Sequence, residues 1–280
     1  METITPQQGP ELLHPKNDFL FKLIFGDQRH ENIIKAFLQA ALDLPSDDFA
    51  VEFLNPFLKQ EYDNDKYGIL DVRLRTTDNV IDIEIQVAQQ GDIEKRAIWY
   101  KSKMVTEQLA QAQPYSTLKK VVLIFITNFE SVSTDPDKTR YHHCFKQYDI
   151  NAGIYFGDAE ETHIMELPKL PAKEDGTPLC DWLYFINAEK KEDFMKVASK
   201  SPAIKDAVDV VRKASSDEAT RWAYFQRENA ERDKIAQLEF AEKKGRSEGR
   251  SEGRSEGRSE ILDLWRQGIS YEDAMKRVSN

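Results

Sequence analysis

The spacing of hydrophobic residues along the first half of the chain alternates between helical and strand-like periods. Apolar residues recur every three or four positions in residues 18–44 and 92–112, which predicts two amphipathic helices, the first interrupted near Gly26. Apolar and polar residues alternate in residues 69–76 and 80–87. Alternation with a period of two is typical of half-buried strands, so these two segments are predicted to form a β-hairpin.

Four further segments extend the predicted sheet. Residues 121–126 are a continuous run of β-branched and apolar residues, which is typical of a strand covered on both faces. Residues 51–58 contain a proline and are predicted to form an edge strand, and two more strands are predicted at 139–148 and 163–167. The order of helix, strand, hairpin, helix and buried strand indicates an α/β fold, with a mixed central sheet flanked by helices.

The pattern becomes helical after Pro168. Helices are predicted at residues 179–186, 190–197, 202–213 and 217–244. The predicted organisation is therefore a disordered arm at 1–17, an α/β domain at 18–170 and a helical region at 171–244.

Residues 245–260 contain four tandem copies of Gly-Arg-Ser-Glu, the GRSE repeat. Residues four positions apart in the repeat have the same charge, which disfavours a helix, and each glycine costs about 1 kcal/mol of helix propensity. The composition favours a flexible charged linker, and a continuous helix with a ridge of glycines is the alternative. Residues 261–280 are predicted to form a small helical hairpin used for packing or self-association.

Composition limits the class of protein. The chain has 280 residues, 40% hydrophobic and 31% charged, with a mean hydropathy of −0.62, which indicates a folded core and extensive solvated surface. No apolar run approaches the ~20 residues that span a bilayer, and the N-terminus lacks the blocks of a signal peptide. Because Cys144 and Cys180 are the only cysteines, a disulfide framework is not expected. These features predict a cytoplasmic protein without a membrane span.

The candidate chemistry lies on the polar face of the hairpin. A two-residue loop at Thr77-Asp78 would place Asp71 opposite Glu84, and one at Asp78-Asn79 would place Asp71 opposite Gln86. A three-residue loop would break this parity. Opposite residues have Cβ atoms about 4.5–5.5 Å apart. Two carboxylates at this distance repel each other unless a cation lies between them, and oxygen ligands of this kind suit Mg²⁺ or Mn²⁺.

Other motifs give weaker signals. The formal net charge of −10 means that contact with DNA would depend on local basic residues and a bound metal. In His142-His143-Cys144, one histidine of an alternating strand faces away from its neighbours, and no second ligand cluster is evident in the sequence, so zinc binding is not predicted. The glycine-rich motifs of nucleotide-binding proteins do not occur.

Several motifs together indicate a family. They are DFLFKLIFG at residues 18–26, GILDV at 68–72 with IEIQ at 83–86, Arg96 and Tyr100 in a predicted helix with Tyr115 before the strand at 121–126, and ELPK at 166–169 leading into WLYF at 182–185. With these motifs the chain resembles the recombination-promoting nuclease (Rpn) family of transposase-like proteins, part of the PD-(D/E)xK nuclease superfamily. The resemblance covers nearly the whole chain. It implies a restriction-endonuclease-like core and a Mg²⁺-dependent DNA endonuclease that acts in recombination or in mobile elements.

The resemblance also implies roles for individual residues. Asp71 and Glu84 match the two metal-ligating acids of the superfamily, and Gln86 stands where many members have lysine. Lys22 and Arg96 are candidates to replace that missing cation, Arg96 because its guanidinium binds phosphate in a bidentate way. The resemblance suggests Asp18 as an additional acidic ligand.

Two other functions remain open at the level of sequence. The acidic net charge and the missing lysine suit a non-catalytic assembly or regulatory protein that retains the nuclease fold and forms homo-oligomers through its C-terminal helices. A transposase that joins DNA as well as cutting it is the third hypothesis.

Overall fold

A six-stranded mixed sheet with helices on both faces forms the core of the compact unit up to Gln226. The computed structural model describes residues 11–46, 49–55, 71–87 and 92–278. The strands are β1 (Glu52–Phe53), β2 (Val72–Arg75), β3 (Asn79–Gln86), β4 (Lys120–Thr127), β5 (His142–Phe145), β6 (Tyr148–Asp149), β7 (Ile154–Tyr155) and β8 (Glu160–Glu166). The helices are α1 (Asp18–Phe25), α2 (Glu31–Leu42), α3 (Ile93–Thr106), α4 (Pro178–Ile186), α5 (Lys191–Ala198), α6 (Pro202–Ser216), α7 (Glu218–Arg266) and α8 (Tyr271–Val278). This architecture confirms the predicted fold class.

The strand order in the main sheet is β1-β2-β3-β4-β8-β5, and β6 pairs with β7 in a separate ribbon. Strands β3, β4 and β8 are parallel, whereas β1, β2 and β5 pair with their neighbours in antiparallel fashion. Parallel neighbours require a crossover connection, and α3 lies in the segment that joins β3 to β4. The three parallel strands therefore end at the same edge of the sheet.

The hairpin of β2 and β3 has the first of the two registers that the sequence left open. Val72 pairs with Ile83, and the same register places Asp71 opposite Glu84. The two-residue loop is Thr77-Asp78. The pairing of the two strands therefore brings the two predicted metal-ligating acids side by side.

Strand β4 lies at the centre of the sheet and is covered on both faces, as the sequence predicted. Its apolar side chains alternate between two cores, with Val122, Ile124 and Ile126 in the larger one and Val121, Leu123 and Phe125 in the smaller one. Helices α1, α2, α4, α5 and α6 contribute to the larger core, and α3 covers the smaller one. The face covered by α3 is the one on which Glu84 lies, because Glu84 pairs with Phe125.

Helices α4 to α6 pack in the same core as α1 and α2, so they do not form a helical region apart from residues 18–170. The ring of Phe25 lies 5.3 Å from that of Phe37 in α2, and 5.9 Å and 6.4 Å from Trp182 and Phe185 in α4. An apolar helix face must be buried against another element, and here the two sets of helices bury each other. The compact unit extends to Gln226, and residues 227–280 form a second unit.

Part of the predicted disordered arm packs against the core. Residues 1–10 lie outside the described residues. Leu13 is 4% exposed, and its peptide N–H donates to Oγ of Ser215 in α6 at 3.0 Å. The side chain of Asn17 accepts hydrogen bonds from two backbone N–H groups of the first turn of α1, which it caps. Residues 11–17 thus differ from the expectation because they have both an apolar anchor and a capping role.

Several predicted boundaries shift in the structure. Strand β1 lies at the edge of the sheet as predicted, and residues 56–58 of the predicted strand fall outside the described residues. Helix α3 ends at Thr106 instead of continuing to residue 112, and the strand predicted at 139–148 is divided into β5 and β6. Among the described helices, not one combines the length and the apolar composition that a bilayer crossing needs.

The GRSE repeat is helical. The observed structure is therefore the continuous helix, which was the alternative, and not the flexible linker that the composition favoured. Helix α7 has 49 residues and runs through the whole repeat. Nucleation is the costly step of helix formation, so a helix already established on one side of the repeat can propagate through its glycines. Gly268 then ends the helix with a φ of +89°. Ser270 caps α8 by accepting the N–H of Asp273 at 3.2 Å.

Replacing Phe25 with alanine is expected to lower the free energy of unfolding by about 3–5 kcal/mol, because it leaves a cavity where a fully buried ring was. Urea titration followed by circular dichroism measures the change. Phe240→Ala is the matched control, because that ring is 69% exposed and its loss should cost less than about 0.5 kcal/mol. Equal effects of the two substitutions would contradict the described core.

Replacing Gly245 and Gly249 with alanine is expected to slow amide hydrogen exchange in the repeat, since each change favours the helix by about 1 kcal/mol. Among the described residues, nothing outside the helix's own backbone lies within 4 Å of a Cβ built at either position. The effect would therefore come from helix propensity alone. Exchange measured by mass spectrometry tests it, and rapid exchange of the repeat in both proteins would instead support the flexible linker.

Candidate active site

Asp71 and Glu84 are held together by hydrogen bonds that cross between the two strands of the hairpin. The peptide N–H of Asp71 donates to Oε1 of Glu84 at 3.1 Å, and the peptide N–H of Ile85 donates to Oδ2 of Asp71 at 3.0 Å. Each carboxyl group therefore accepts a hydrogen bond from the backbone of the opposite strand. The Glu84 side chain is 3% exposed and that of Asp71 is 12% exposed, so both acids are largely shielded from solvent.

Gln86 links Glu84 to helix α3. Its Nε2 donates to Oε2 of Glu84 at 3.2 Å, and its Oε1 accepts from Nη1 of Arg96 at 2.7 Å. Nη2 of Arg96 lies 3.5 Å from Oε2 of Glu84 and donates to the hydroxyl of Tyr100 at 3.2 Å. Because Arg96 and Tyr100 are four residues apart, they lie on the same face of α3. The structure thus places a guanidinium beside the amide of Gln86.

Lys22 approaches Asp71 from helix α1. Its Nζ lies 2.9 Å from Oδ1 of Asp71, and its side chain is 36% exposed. Gly26, one turn after Lys22, caps the end of α1. A Cβ at position 26 would lie only 2.8 Å from the carbonyl oxygen of Lys22. Asp18 is close enough for its charge to raise the pKa of Asp71. Among the described residues, however, Asp18, Asp71 and Glu84 are not gathered within 4.8 Å of one another, so the role of Asp18 as a ligand stays a prediction.

Asp82 is a further acid of the site to which the sequence motifs assign no role. It is fully buried, and neither of its carboxyl oxygens has a hydrogen-bond partner among the described residues. Burial raises the pKa of Asp82 well above its usual value, and the charges of Glu84 and Asp71 raise it further. The available signal was its position two residues before Glu84, on the same face of β3.

Burial also raises the pKa values of the two predicted ligands. The pKa of Asp71 is raised by burial although the charge of Lys22 opposes the shift. Burial and the charge of Asp71 raise the pKa of Glu84 to about 8, against the opposing charge of Arg96. Both acids are therefore harder to ionise than in water, mainly because they are buried. A divalent cation favours the ionised form of nearby carboxylates, so the donor set fits a hard cation such as Mg²⁺ or Mn²⁺.

The polar edge of the sheet continues from the hairpin onto β4 and β8. Gln86 pairs with Thr127, and Thr127 pairs with Glu166, at the carboxyl ends of three parallel strands. Glu166 is fully buried, with its Oε2 2.6 Å from Nζ of Lys169 and 3.4 Å from Nε2 of His143. Open α/β sheets commonly bind ligands at this edge. In the sequence, Glu166 and Lys169 were visible only as part of a family motif.

Comparison with known proteins gives one match. A family model described as PD-(D/E)XK nuclease family transposase matches residues 15–241. The matched range includes all six predicted site residues, from Asp18 to Arg96. No curated protein and no solved structure matches the chain.

Proposed function

Since the chain belongs to the PD-(D/E)XK nuclease family of transposases, we propose that it is a metal-dependent DNA endonuclease that hydrolyses phosphodiester bonds and promotes recombination. The observation that supports this most directly is the pairing of Asp71 with Glu84 across a buried hairpin. Family membership supports a nuclease-like activity, and the geometry supports hydrolysis assisted by a divalent cation.

Asp71 and Glu84 are the residues that would hold the cation. One or two carboxylates with several waters are a usual ligand set for Mg²⁺, so these two acids would suffice to hold it. A bound Mg²⁺ or Mn²⁺ polarises a phosphoryl oxygen and lowers the pKa of the attacking water. The hydrogen bonds from the peptide N–H groups of Asp71 and Ile85 keep both carboxyl groups oriented before substrate binds.

Gln86 and Arg96 together perform the work that lysine performs in many superfamily members. Gln86 has no charge, but its amide can orient a water molecule by hydrogen bonding. Arg96 lies 2.7 Å from this amide and can stabilise the negative charge that develops on the phosphate. Lys22, on the other side of Asp71, is a second cation for the same purpose. These local charges would attract DNA to a chain whose net charge is −10.

Asp71→Asn is expected to lower the rate of plasmid nicking by roughly 10³-fold, because losing a ligating carboxylate removes several kcal/mol of transition-state stabilisation. The assay follows supercoiled plasmid with Mg²⁺, with Mn²⁺ and with EDTA. Asp78→Asn is the matched control, because Asp78 is an exposed residue in the turn of the same hairpin and should leave the rate unchanged.

Full activity of Asp71→Asn, or of the wild type in EDTA, would refute this proposal. Calorimetry with Mg²⁺ and Mn²⁺ separates it from the alternative function. A folded wild-type chain that binds neither ion would favour a non-catalytic assembly or regulatory protein. A strand-transfer assay tests whether the chain also joins DNA.

Arg96→Gln is expected to lower the cleavage rate by roughly 10²-fold while the hairpin acids still bind metal, because the cation at the phosphate is lost. Adding Gln86→Lys to this variant places a positive charge at the position where many superfamily members have lysine, so part of the rate should return. Single-turnover cleavage measures both effects. Lys95→Gln is the control, because Lys95 is 81% exposed on the same helix and pairs with Asp92.

A wild-type rate for Arg96→Gln would show that Arg96 is not the substituting cation. Lys22→Gln then tests the other candidate in the same assay.

A further inference from the structure

A second group of metal-ligand side chains lies on the face of the sheet opposite Glu84. Cys144 in β5 pairs directly with His163 in β8, and Glu161 lies two residues before His163 on the same strand. Glu161 and His163 pair with Val122 and Ile124 of β4, whose side chains face the larger core. These three ligands therefore lie on the other face of the sheet from the candidate nuclease site.

We propose that Cys144, Glu161 and His163 form a Zn²⁺ site. One ligand atom from each residue lies within 4.8 Å of the other two. Nε2 of His163 is 3.8 Å from Sγ of Cys144 and 3.3 Å from Oε2 of Glu161. With ordinary Zn–S, Zn–N and Zn–O bond lengths, tetrahedral coordination separates a sulfur and a nitrogen ligand by roughly 3.6 Å, and a nitrogen and an oxygen ligand by roughly 3.4 Å. The observed spacings fit an ion between the three atoms with little rearrangement.

His142 holds His163 in the orientation that metal binding requires. Nε2 of His142 lies 2.9 Å from Nδ1 of His163, and the two rings are stacked with centroids 5.2 Å apart. A neutral ring at His142 can accept a hydrogen bond at this nitrogen. When Nδ1 of His163 donates to His142, the lone pair of Nε2 points towards Cys144 and Glu161. A hydrogen bond of this kind behind a ligating histidine is a regular feature of zinc sites.

One carboxyl oxygen of Glu161 pairs with lysine side chains, and the other is available to a metal. Its Oε1 lies 2.6 Å from Nζ of Lys120 and also pairs with Lys146, while Oε2 faces His163. The lysines thus hold one oxygen and leave the other directed at the imidazole.

The mixture of ligands determines which ion is preferred. Thiolate and imidazole ligands favour Zn²⁺ over Mg²⁺ and Mn²⁺, which prefer oxygen. Cys144 is exposed, so solvent can reach the site and fill a fourth position. Because Cys144 and His163 come from neighbouring strands, an ion bound to both would tie the edge strand β5 to β8. Binding of Zn²⁺ would therefore stabilise the fold by linkage.

Zinc binding by the full-length chain tests this proposal without any nuclease assay. Competition with a chromophoric chelator should show a single high-affinity Zn²⁺ per chain, and Zn²⁺ should raise the melting temperature. Cys144→Ser should weaken binding by roughly tenfold or more. His142→Gln, which leaves all three ligands in place, should weaken it by roughly 10–100-fold. Cys180→Ala is the control, because it removes the other thiol, which is buried in α4, and should leave zinc affinity unchanged.

Cobalt substitution adds a spectroscopic test. Co²⁺ should give a thiolate-to-metal charge-transfer band that Cys144→Ser abolishes and Cys180→Ala retains. Asp71→Asn should keep both zinc affinity and this band, which separates this site from the proposed nuclease site. The proposal is overturned if the folded wild type binds no Zn²⁺, if Cys144→Ser binds it equally well, or if Asp71→Asn abolishes its binding.

Discussion

The antiparallel pairing of β2 with β3 determines which side chains meet at the candidate active site. Peptide N–H groups on each strand donate to the carboxyl group of Asp71 or Glu84 on the other, at 3.0 Å and 3.1 Å. Side chains alternate along a strand, so a shift of one residue would move one acid to the other face and separate the pair. Parallel pairing of β3 with the buried strand β4 supports this register from the other side.

Burial of the acidic side chains of the hairpin opposes folding. Burial raises the pKa values of Asp71, Asp82 and Glu84, and the charge of Asp71 raises those of Asp82 and Glu84 further. The charges of Lys22 and Arg96 oppose these shifts. Buried acids without full pairing are destabilising, and proteins tolerate them mainly where function requires them. Here the aromatic core of α1, α2 and α4 provides packing that compensates.

The two faces of the sheet present different ligand chemistry. Beneath α3, carboxylates and an amide at the end of β3 suit a hard cation. On the opposite face, thiolate, imidazole and carboxylate ligands from β5 and β8 suit zinc. Alternation along each strand keeps these sets apart, because neighbouring residues point to opposite faces. The same alternation explains why His142 contacts His163 whereas His143 lies near Glu166.

Local periodicity in the sequence determined most of the elements, because helical spacing and strand alternation are properties of consecutive residues. It also determined that Asp71, Glu84 and Gln86 belong to the polar face of one hairpin. The helix through the GRSE repeat was only the alternative prediction, because the composition of the repeat disfavours a helix. A helix already formed on either side can nevertheless propagate through the repeat. Only the tertiary structure decided the hairpin register, the contact between Arg96 and Gln86, and the ligand cluster of β5 and β8. These depend on which segments pack together, and spacing along the chain does not specify partners across space.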